Sequence, residues 1–254
     1  MHIPDGFLAT PVWLGLNAAA LPAVARAARQ AQRGGQEARA PLLGVMGAFV
    51  FAAQMVNFPV GPGTSGHLVG SALLAVTLGP AAAAVVMTAI LAIQALVLQD
   101  GGVLALGANV VNMALAGVLA GYLPYRWWGA GRWRRAAIFA GGFFSVLVAA
   151  VLAIAELRLS GVRIPAAIWW VSLGLFAVMA ALEGVITVAV VRGLEALGVA
   201  LAQTKAAAQP RRLAAVGLAA ALVATLGIVA ASTHPDVLEA LIERLGPAAA
   251  RGTR

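Results

Sequence analysis

Residues 136–157 read AAIFAGGFFSVLVAAVLAIAEL, an apolar run in which Glu156 is the only charged residue. A helix of about 20 such residues crosses the hydrocarbon core of a membrane, so this run is long enough to span it. The whole chain has the same character, with 62% hydrophobic and 10% charged residues, against about 45–50% and about 25% in a soluble domain. The sequence therefore predicts an all-α integral membrane protein.

Further apolar runs lie on both sides of this one in the 254-residue chain. They cover residues 7–25, 42–58, 66–78, 80–98, 104–123, 166–191 and 213–231. The run 66–78 is short, and we expect it to be tilted or only partly spanning. Together the runs predict a polytopic transmembrane helical bundle with about 7–8 membrane segments.

Basic residues concentrate in three of the predicted loops. They are Arg26, Arg29, Arg33 and Arg39, then Arg126, Arg132, Arg134 and Arg135, then Arg192, Lys205, Arg211 and Arg212. These loops share one side if every segment crosses, and the positive-inside rule makes that side cytoplasmic. The net charge of +8 then reflects basic residues in cytoplasmic loops and does not indicate nucleic-acid binding. The N-terminus, the loops 59–66 and 99–103 and the C-terminal tail are predicted to be extracytoplasmic.

The extreme N-terminus carries a potential chelating group. No basic residue precedes Phe7, so the start of the chain is not typical of a signal peptide, and we expect Met1 to be retained with a free α-amine. That amine, the His2 amide and the His2 imidazole can close adjacent five- and six-membered rings on one metal ion. Pro4-Asp5-Gly6 is expected to turn this short arm back from the first helix.

A second histidine lies on the same predicted side of the membrane, in NFPVGPGTSGHLVG (57–70). Thr64 or Ser65 is a plausible N-cap, which would place His67 in the first turn of a helix. The helix dipole there would favour the neutral, metal-binding imidazole. Four nitrogens in a plane suit Ni²⁺ or Cu²⁺, and Co²⁺ is also tolerable. Alternatively, His2 is an incidental residue of the terminus and His67 an interfacial side chain of the loop. His234 is interpreted as a helix-start residue rather than a ligand.

Several polar residues are candidates to line this site or to hydrogen-bond its imidazoles. They are Asp5, Asn57, Ser65, Asn109 and Asn112. Asn109 and Asn112 are three apart and so share a face of an α-helix, although buried amides also bridge helices. Asp5 could instead cap a turn. Glu183 lies within an apolar segment and is expected to have a hydrogen-bonding partner there.

Four stretches carry a resemblance to a known family: MHIPDGFL (1–8), NFPVGPGTSGHLVG (57–70), QALVLQDGGVLALGANVVNMALAG (94–117) and ALEGVIT (181–187). Over roughly residues 1–200, the chain resembles the CbiM/NikM family, the cobalt/nickel substrate-binding (S) components of energy-coupling-factor (ECF) transporters. The resemblance implies that the Met1 amine, the His2 amide and imidazole and the His67 imidazole bind Ni²⁺ or Co²⁺ as the transported substrate. It also implies that the N-terminal segment folds into the bundle of a prokaryotic cell-membrane protein.

The resemblance also predicts a domain organisation. Residues 1–200 form the metal-binding S-component domain, and 201–231 a cytoplasmic linker with an extra transmembrane helix. The tail 232–254 contains HPDVLEALIERLG, which is similar to the Pro-Asp-Gly-Leu-Glu segment of the small accessory subunit, with Val237 in place of glycine. The sequence leaves open whether this tail is a functional fusion.

The partners implied by the family are a transmembrane coupling subunit and two ATPase subunits, with a possible small accessory membrane subunit. The chain itself has one lysine, Lys205, and no GxxxxGK loop, so we expect it to bind no nucleotide and not to be an enzyme. An intramembrane metalloenzyme is disfavoured because no HExxH motif is present. A stand-alone secondary metal transporter or channel remains the alternative.

Overall fold

The computed structural model describes residues 1–34, 40–61, 64–198, 214–219, 221, 222, 225 and 235–245. Its helices are α1 (Thr10–Arg33), α2 (Ala40–Gln54), α3 (Ser71–Leu78), α4 (Pro80–Ile93), α5 (Leu106–Asn109), α6 (Val118–Trp128), α7 (Arg134–Leu159), α8 (Ala166–Ala196) and α9 (Val237–Leu245). Wider π-helical turns continue α4 through Gln94–Leu98 and join α5 to α6 through Val110–Gly117, and a 3₁₀ turn, Gly131–Trp133, precedes α7. Two short strands are β1 (Phe58–Gly61) and β2 (Thr64–Gly66).

Four helical stretches of the described chain are long and apolar enough to cross a membrane. They are Pro80–Leu98, Leu106–Trp128, Gly131–Leu159 and Ala166–Ala196. These stretches overlap the predicted runs 80–98, 104–123, 136–157 and 166–191, which confirms a mostly helical membrane protein. The total of 7–8 segments stays a prediction, and the run 213–231 falls largely outside the described residues.

Small residues bring the long helices into close contact. A Cβ added to Gly142 on α7 would lie 2.7 Å from the Cα of Gly184 on α8. Such an approach is possible only because neither residue has a side chain, and close backbone packing is a main source of helix association in membranes. The glycines of the apolar runs thus fix the pairing of α7 with α8.

The helix α3 is too short to span. Its eight residues are all buried and extend about 12 Å along the helix axis, against a hydrocarbon core of about 30 Å. Gly79, with φ 85°, ends the helix and Pro80 begins the next one. The run 66–78 is therefore only partly spanning, as its length suggested.

The loop before α3 departs from the all-α prediction. β1 and β2 pair antiparallel, with Phe58 opposite Gly66 and Pro59 opposite Ser65. The expectation that Thr64 or Ser65 caps a helix containing His67 is wrong, because α3 begins only at Ser71, after Gly70 with φ 78°. The backbone of 64–66 is engaged in strand pairing, and no helix can form until that pairing ends. His67 therefore lies in the non-helical segment between β2 and α3.

The C-terminal tail returns to this hairpin. Ser65 pairs in parallel with Asp236, and its N–H donates to the carbonyl oxygen of Pro235 at 2.8 Å. The helix α9 follows directly and packs against β2 and α8, with Val237, Leu238 and Leu241 buried. Residues distant in the chain thus meet beside His67.

Candidate metal site

The N-terminal arm, residues 1–9, is inserted among the helices. Met1 is 3% exposed, His2 5% and Ile3 0%. A chain terminus is normally solvated, and burying its charged amine is costly unless that amine is paired. The groups that bond the N-terminal arm therefore determine how the buried amine is stabilised.

Asn109 holds the arm at Ile3. Its Oδ1 accepts the Ile3 N–H at 2.8 Å, and its Nδ2 donates to the Ile3 carbonyl oxygen at 3.1 Å. A further backbone bond runs from the Gly102 N–H to the same carbonyl oxygen at 2.9 Å. These bonds fix the backbone one residue beyond His2.

Asp5 holds the arm a second time. Its carboxylate accepts the N–H groups of Val103, Leu104 and Ala105 at 3.0, 2.9 and 3.2 Å. These amides lie just before α5, where N–H groups have no partner within the helix. Asp5 therefore caps this turn, one of the two roles that its sequence position allowed.

Two glycines make room for the arm. A Cβ on Gly101, which has φ +91°, would lie 2.9 Å from the His2 Cβ, and a Cβ on Gly102 would lie 2.1 Å from Asp5 Oδ1. Any side chain at Gly102 would push the arm away. The two glycines at 101 and 102 are thus required for the close approach of residues 2–5.

The non-helical segment 67–70 is held from the other side. Glu183 accepts the Val69 and Gly70 N–H groups, both at 2.8 Å, and Gln54 Nε2 donates to the Val69 carbonyl oxygen at 2.7 Å. Glu183 thus has the buried partners that its position in an apolar segment required. Gln54 is in turn bonded by Gln94 at 2.7 Å.

A neighbouring carbonyl sets the tautomer of His67. Nδ1 lies 3.0 Å from the carbonyl oxygen of Leu68, and a carbonyl oxygen can only accept. Nδ1 therefore carries the proton, which leaves the lone pair of Nε2 free. The tautomer that presents Nε2 as a ligand is thus set by this bond and not by a helix dipole.

The arm and His67 meet at the terminal amine. The Met1 amine donates to His67 Nε2 at 2.7 Å. The His2 and His67 rings stack with centroids 5.7 Å apart and an interplanar angle of 6°. The structure therefore brings together Met1, His2 and His67.

The His2 ring is buried, and its Nε2 has no hydrogen-bonding partner in the described chain. Its Nδ1 lies 3.1 Å from Asp100 Oδ1, within hydrogen-bonding distance. Burial lowers the pKa of His2, and the nearby charge of the terminal amine lowers it further. A buried imidazole nitrogen without a hydrogen-bonding partner is a donor expected at a ligand site.

Asp236 also lies at this site, and the sequence analysis did not identify it. Its Oδ2 forms an ion pair with the Met1 amine and lies 3.5 Å from His67 Nε2. Burial alone would raise the pKa of Asp236, but the amine charge and His67 hold it well below its usual value. The only signal was the similarity of the tail to an accessory subunit, which gives no position relative to His67.

The remaining predicted residues are placed as follows. Asn112 Nδ2 donates to Glu156 Oε2 at 2.8 Å and so bridges two helices. Ser65 is buried on β2 and bonds the tail through its N–H. Asn57 is half-buried between α2 and β1, and His234 lies outside the described residues.

Most of the potential metal ligands at this site are nitrogen atoms, and one of them, the Met1 amine, belongs to the backbone. No group of three or more His, Cys, Asp or Glu side chains at metal-binding spacing occurs in the described part of the chain. At this site, the Met1 α-amine lies against the His67 and Asp236 side chains and adds a further potential ligand. Amine and imidazole nitrogens suit the later first-row transition metals.

Comparisons with known proteins agree with this chemistry. The family model of the cobalt uptake substrate-specific transmembrane region (CbiM) matches residues 2–201. A fused nickel transport protein of Archaeoglobus fulgidus is 39% identical over 229 residues, covering 87% of this chain and 73% of that protein. A metal transport protein of Haloquadratum walsbyi is 46% identical over 130 residues, 50% of this chain and 58% of its own length. This chain therefore spans just over half of the second relative.

A solved structure is also similar. The crystal structure of a transition metal transporter has a TM-score of 0.68 and 33% sequence identity, covering 78% of this chain and 93% of that chain.

Proposed function

The chain belongs to the CbiM family of cobalt uptake substrate-specific transmembrane regions and is a transport component of the CbiM/NikM type; from that premise we propose that it captures Ni²⁺ or Co²⁺ for import. Four nitrogens bind the ion: the Met1 amine, the His2 amide, the His2 imidazole and His67 Nε2. The protein is a multi-pass component of a prokaryotic cell membrane and takes the metal from the extracytoplasmic side.

The observation that carries the proposal is the 2.7 Å separation of the Met1 amine from His67 Nε2. With metal–nitrogen bonds of about 2 Å, as in zinc–imidazole sites, two nitrogens at right angles around one ion are about 2.8 Å apart. The two groups are thus spaced as adjacent ligands before any metal enters. Little movement of the protein is therefore needed for these two nitrogens to bind one ion.

The His2 donors support the same arrangement. The His2 amide is adjacent to the amine along the chain, and closure of a six-membered ring with that amide requires Nδ1 of the imidazole. Nδ1 contacts Asp100 at 3.1 Å, so metal binding turns the ring from this carboxylate toward the ion. Asp100 then remains next to the site as a negative charge that attracts cations.

The domain organisation follows from the same family. Residues 1–200 act as the metal-binding S component, 201–231 as a linker with an extra helix, and the tail 232–254 as an accessory segment. The Archaeoglobus relative is named as a fused nickel transport protein, which fits an appended segment here. ATP hydrolysis is the task of two separate ATPase subunits, joined through a transmembrane coupling subunit.

Nickel binding by histidine variants tests the ligand set. In the purified full-length protein, His2→Ala and His67→Ala should each weaken Ni²⁺ binding, measured by calorimetry, by roughly 10- to 100-fold or more. His234→Ala removes the third histidine of the chain and is the matched control, with unchanged affinity expected. If His67→Ala bound Ni²⁺ as wild type does, with the same absorption spectrum, the proposed site would be wrong.

Reconstitution tests the partners. Vesicles containing this chain should accumulate ⁶³Ni²⁺ only with the coupling and ATPase subunits and ATP. Equal accumulation by the chain alone would instead identify a stand-alone transporter.

A further inference from the structure

We propose that Asp236 is an additional ligand of the metal site, supplying an apical carboxylate oxygen from the C-terminal tail. The proposal rests on the metal-capture function above. It adds to the four-nitrogen set an oxygen from the far end of the chain. The tail is then a working part of the site rather than an appended remnant.

The distances allow one ion to contact three groups at once. The Met1 amine and His67 Nε2 are 2.7 Å apart, Nε2 and Asp236 Oδ2 are 3.5 Å apart, and the amine contacts Oδ2 directly. Zinc, a guide to the neighbouring divalent ions, binds imidazole nitrogen and carboxylate oxygen at about 2.0–2.2 Å. A separation of 3.5 Å is less than twice that bond length, so an ion lying off the plane of the three atoms can contact them all.

The tail holds Asp236 in a fixed orientation. Oδ1 accepts the Glu239 N–H at 2.8 Å, and Glu239 Oε2 accepts the Asp236 N–H at 2.9 Å. This reciprocal capping box starts α9. Because Oδ1 serves the helix, Oδ2 is the oxygen that faces the amine and His67. The bond from Ser65 N–H to Pro235 O ties the same turn to β2.

Charge balance also favours a carboxylate here. Without metal, the Met1 ammonium neutralises Asp236 in a buried ion pair, and the two side chains are 1% and 10% exposed. On binding, a divalent ion replaces one amine proton and one His2 amide proton, so the site keeps a charge of +1 beside the carboxylate. Asp236 therefore has a counter-charge in both states. A buried carboxylate would otherwise be costly.

Nickel binding to the full-length protein tests this inference. Asp236→Asn keeps the helix cap, since Asn is as good an N-cap as Asp, and Asp236→Ala removes both oxygens. Each variant should weaken Ni²⁺ binding by roughly 10- to 100-fold. Glu195→Gln is the matched control, because it removes a carboxylate that pairs with Arg134 and does not touch the site, and wild-type affinity is expected.

X-ray absorption at the nickel edge reports the ligand itself. Wild-type protein should show five nitrogen and oxygen neighbours and lack the sharp pre-edge feature of a square plane, and Asp236→Ala should gain that feature. If Asp236→Ala fails to fold, the wild-type spectrum alone decides, since a square-planar spectrum there overturns the inference. Unchanged affinity and spectrum in Asp236→Ala, with binding lost in His67→Ala, would reject the apical ligand and leave the proposed function standing. Unchanged binding in His67→Ala would reject the proposed function itself.

Discussion

Asn109 holds Ile3 by both of its backbone polar groups, with bonds of 2.8 Å and 3.1 Å across 106 positions of sequence. The residue that orients the N-terminal arm is thus a side chain in the middle of the chain. Because the arm carries the proposed chelate, its affinity for metal should depend on groups that never touch the ion.

Asn109→Ala should weaken Ni²⁺ binding by roughly 10- to 100-fold, as loss of supporting contacts does at other metal sites. The protein should still fold, because the Ile3 N–H left unpaired costs about 1–3 kcal/mol, while the Ile3 carbonyl oxygen keeps its bond from the Gly102 N–H. Calorimetric titration with Ni²⁺ and thermal unfolding in detergent measure the two effects.

Asn112→Ala is the matched control for that change. Asn112 bonds Glu156 rather than the arm, so its loss should lower the unfolding temperature and leave nickel affinity unchanged. Equal weakening of nickel binding by the two variants would show that Asn109 acts through general stability.

Blocking the terminal amine should abolish nickel binding. Met1 is buried, and its amine is bonded to His67 and Asp236. Acetylation removes the charge and the nitrogen lone pair together, so the proposed five-membered ring cannot close. Equilibrium binding of ⁶³Ni²⁺ to acetylated and unmodified protein measures the loss.

An extension of two residues before Met1 should have the same effect, and the same two residues added after Arg254 should have none. Unchanged affinity in the acetylated protein would exclude the amine as a ligand.

Gly102→Ala should weaken both stability and nickel binding. The added Cβ would lie 2.1 Å from Asp5 Oδ1 and 2.5 Å from the Asp5 backbone nitrogen, so the arm must shift. Overpacking of this kind typically costs about 1–3 kcal/mol. Thermal unfolding and nickel titration of the same preparation report both effects.

Gly15→Ala separates this contact from a general effect of adding a methyl group. Gly15 lies within α1, and nothing lies within 4 Å of an added Cβ. Alanine there should be neutral or stabilise by about 0.5–1 kcal/mol. A Gly102→Ala protein as stable as Gly15→Ala, with wild-type affinity, would contradict the close approach seen in the structure.

Glu183→Ala should destabilise the protein strongly. It leaves the Val69 and Gly70 N–H groups without their acceptor, at about 1–3 kcal/mol for each unsatisfied group. Because these amides anchor the segment that carries His67, the folded fraction should also bind Ni²⁺ more weakly. Thermal unfolding followed by circular dichroism measures the first effect and calorimetry the second.

Glu195→Gln provides the control on the same helix. Glu195 pairs with Arg134, and both side chains are partly exposed, 37% and 31%. Such pairs contribute about 0–1 kcal/mol, so a small change in unfolding temperature is expected. A larger drop in unfolding temperature for Glu195→Gln than for Glu183→Ala would contradict this ranking of the two carboxylates.

Local properties of the sequence determined the membrane helices and the partly spanning run 66–78. Hydropathy and run length are read within a window of neighbouring residues, and burial in lipid follows from them directly. The sequence also singled out Met1, His2 and His67, because their nitrogens have a recognisable chemistry at that spacing.

Local rules failed where another part of the chain competes for the backbone. Strand pairing of 64–66 and the Glu183 carboxylate occupy the amides around His67, so the expected helix there does not form. Asn109 and Asn112 were expected to share a helix face, yet one bonds Ile3 and the other Glu156. The backbone widens to π-helical turns from Val110, and α-helical spacing does not describe such turns.

Only the tertiary structure brought Asp236 to the Met1 amine, 235 positions away. No pattern within the tail indicates this contact, because a carboxylate in a capping box is a common start to a helix. The contact exists because β2, α8 and α9 pack together and bury an ion pair whose two members lie near opposite ends of the chain. The sequence thus indicated the nitrogen groups proposed to bind a metal, and long-range packing decided that they meet one another and Asp236.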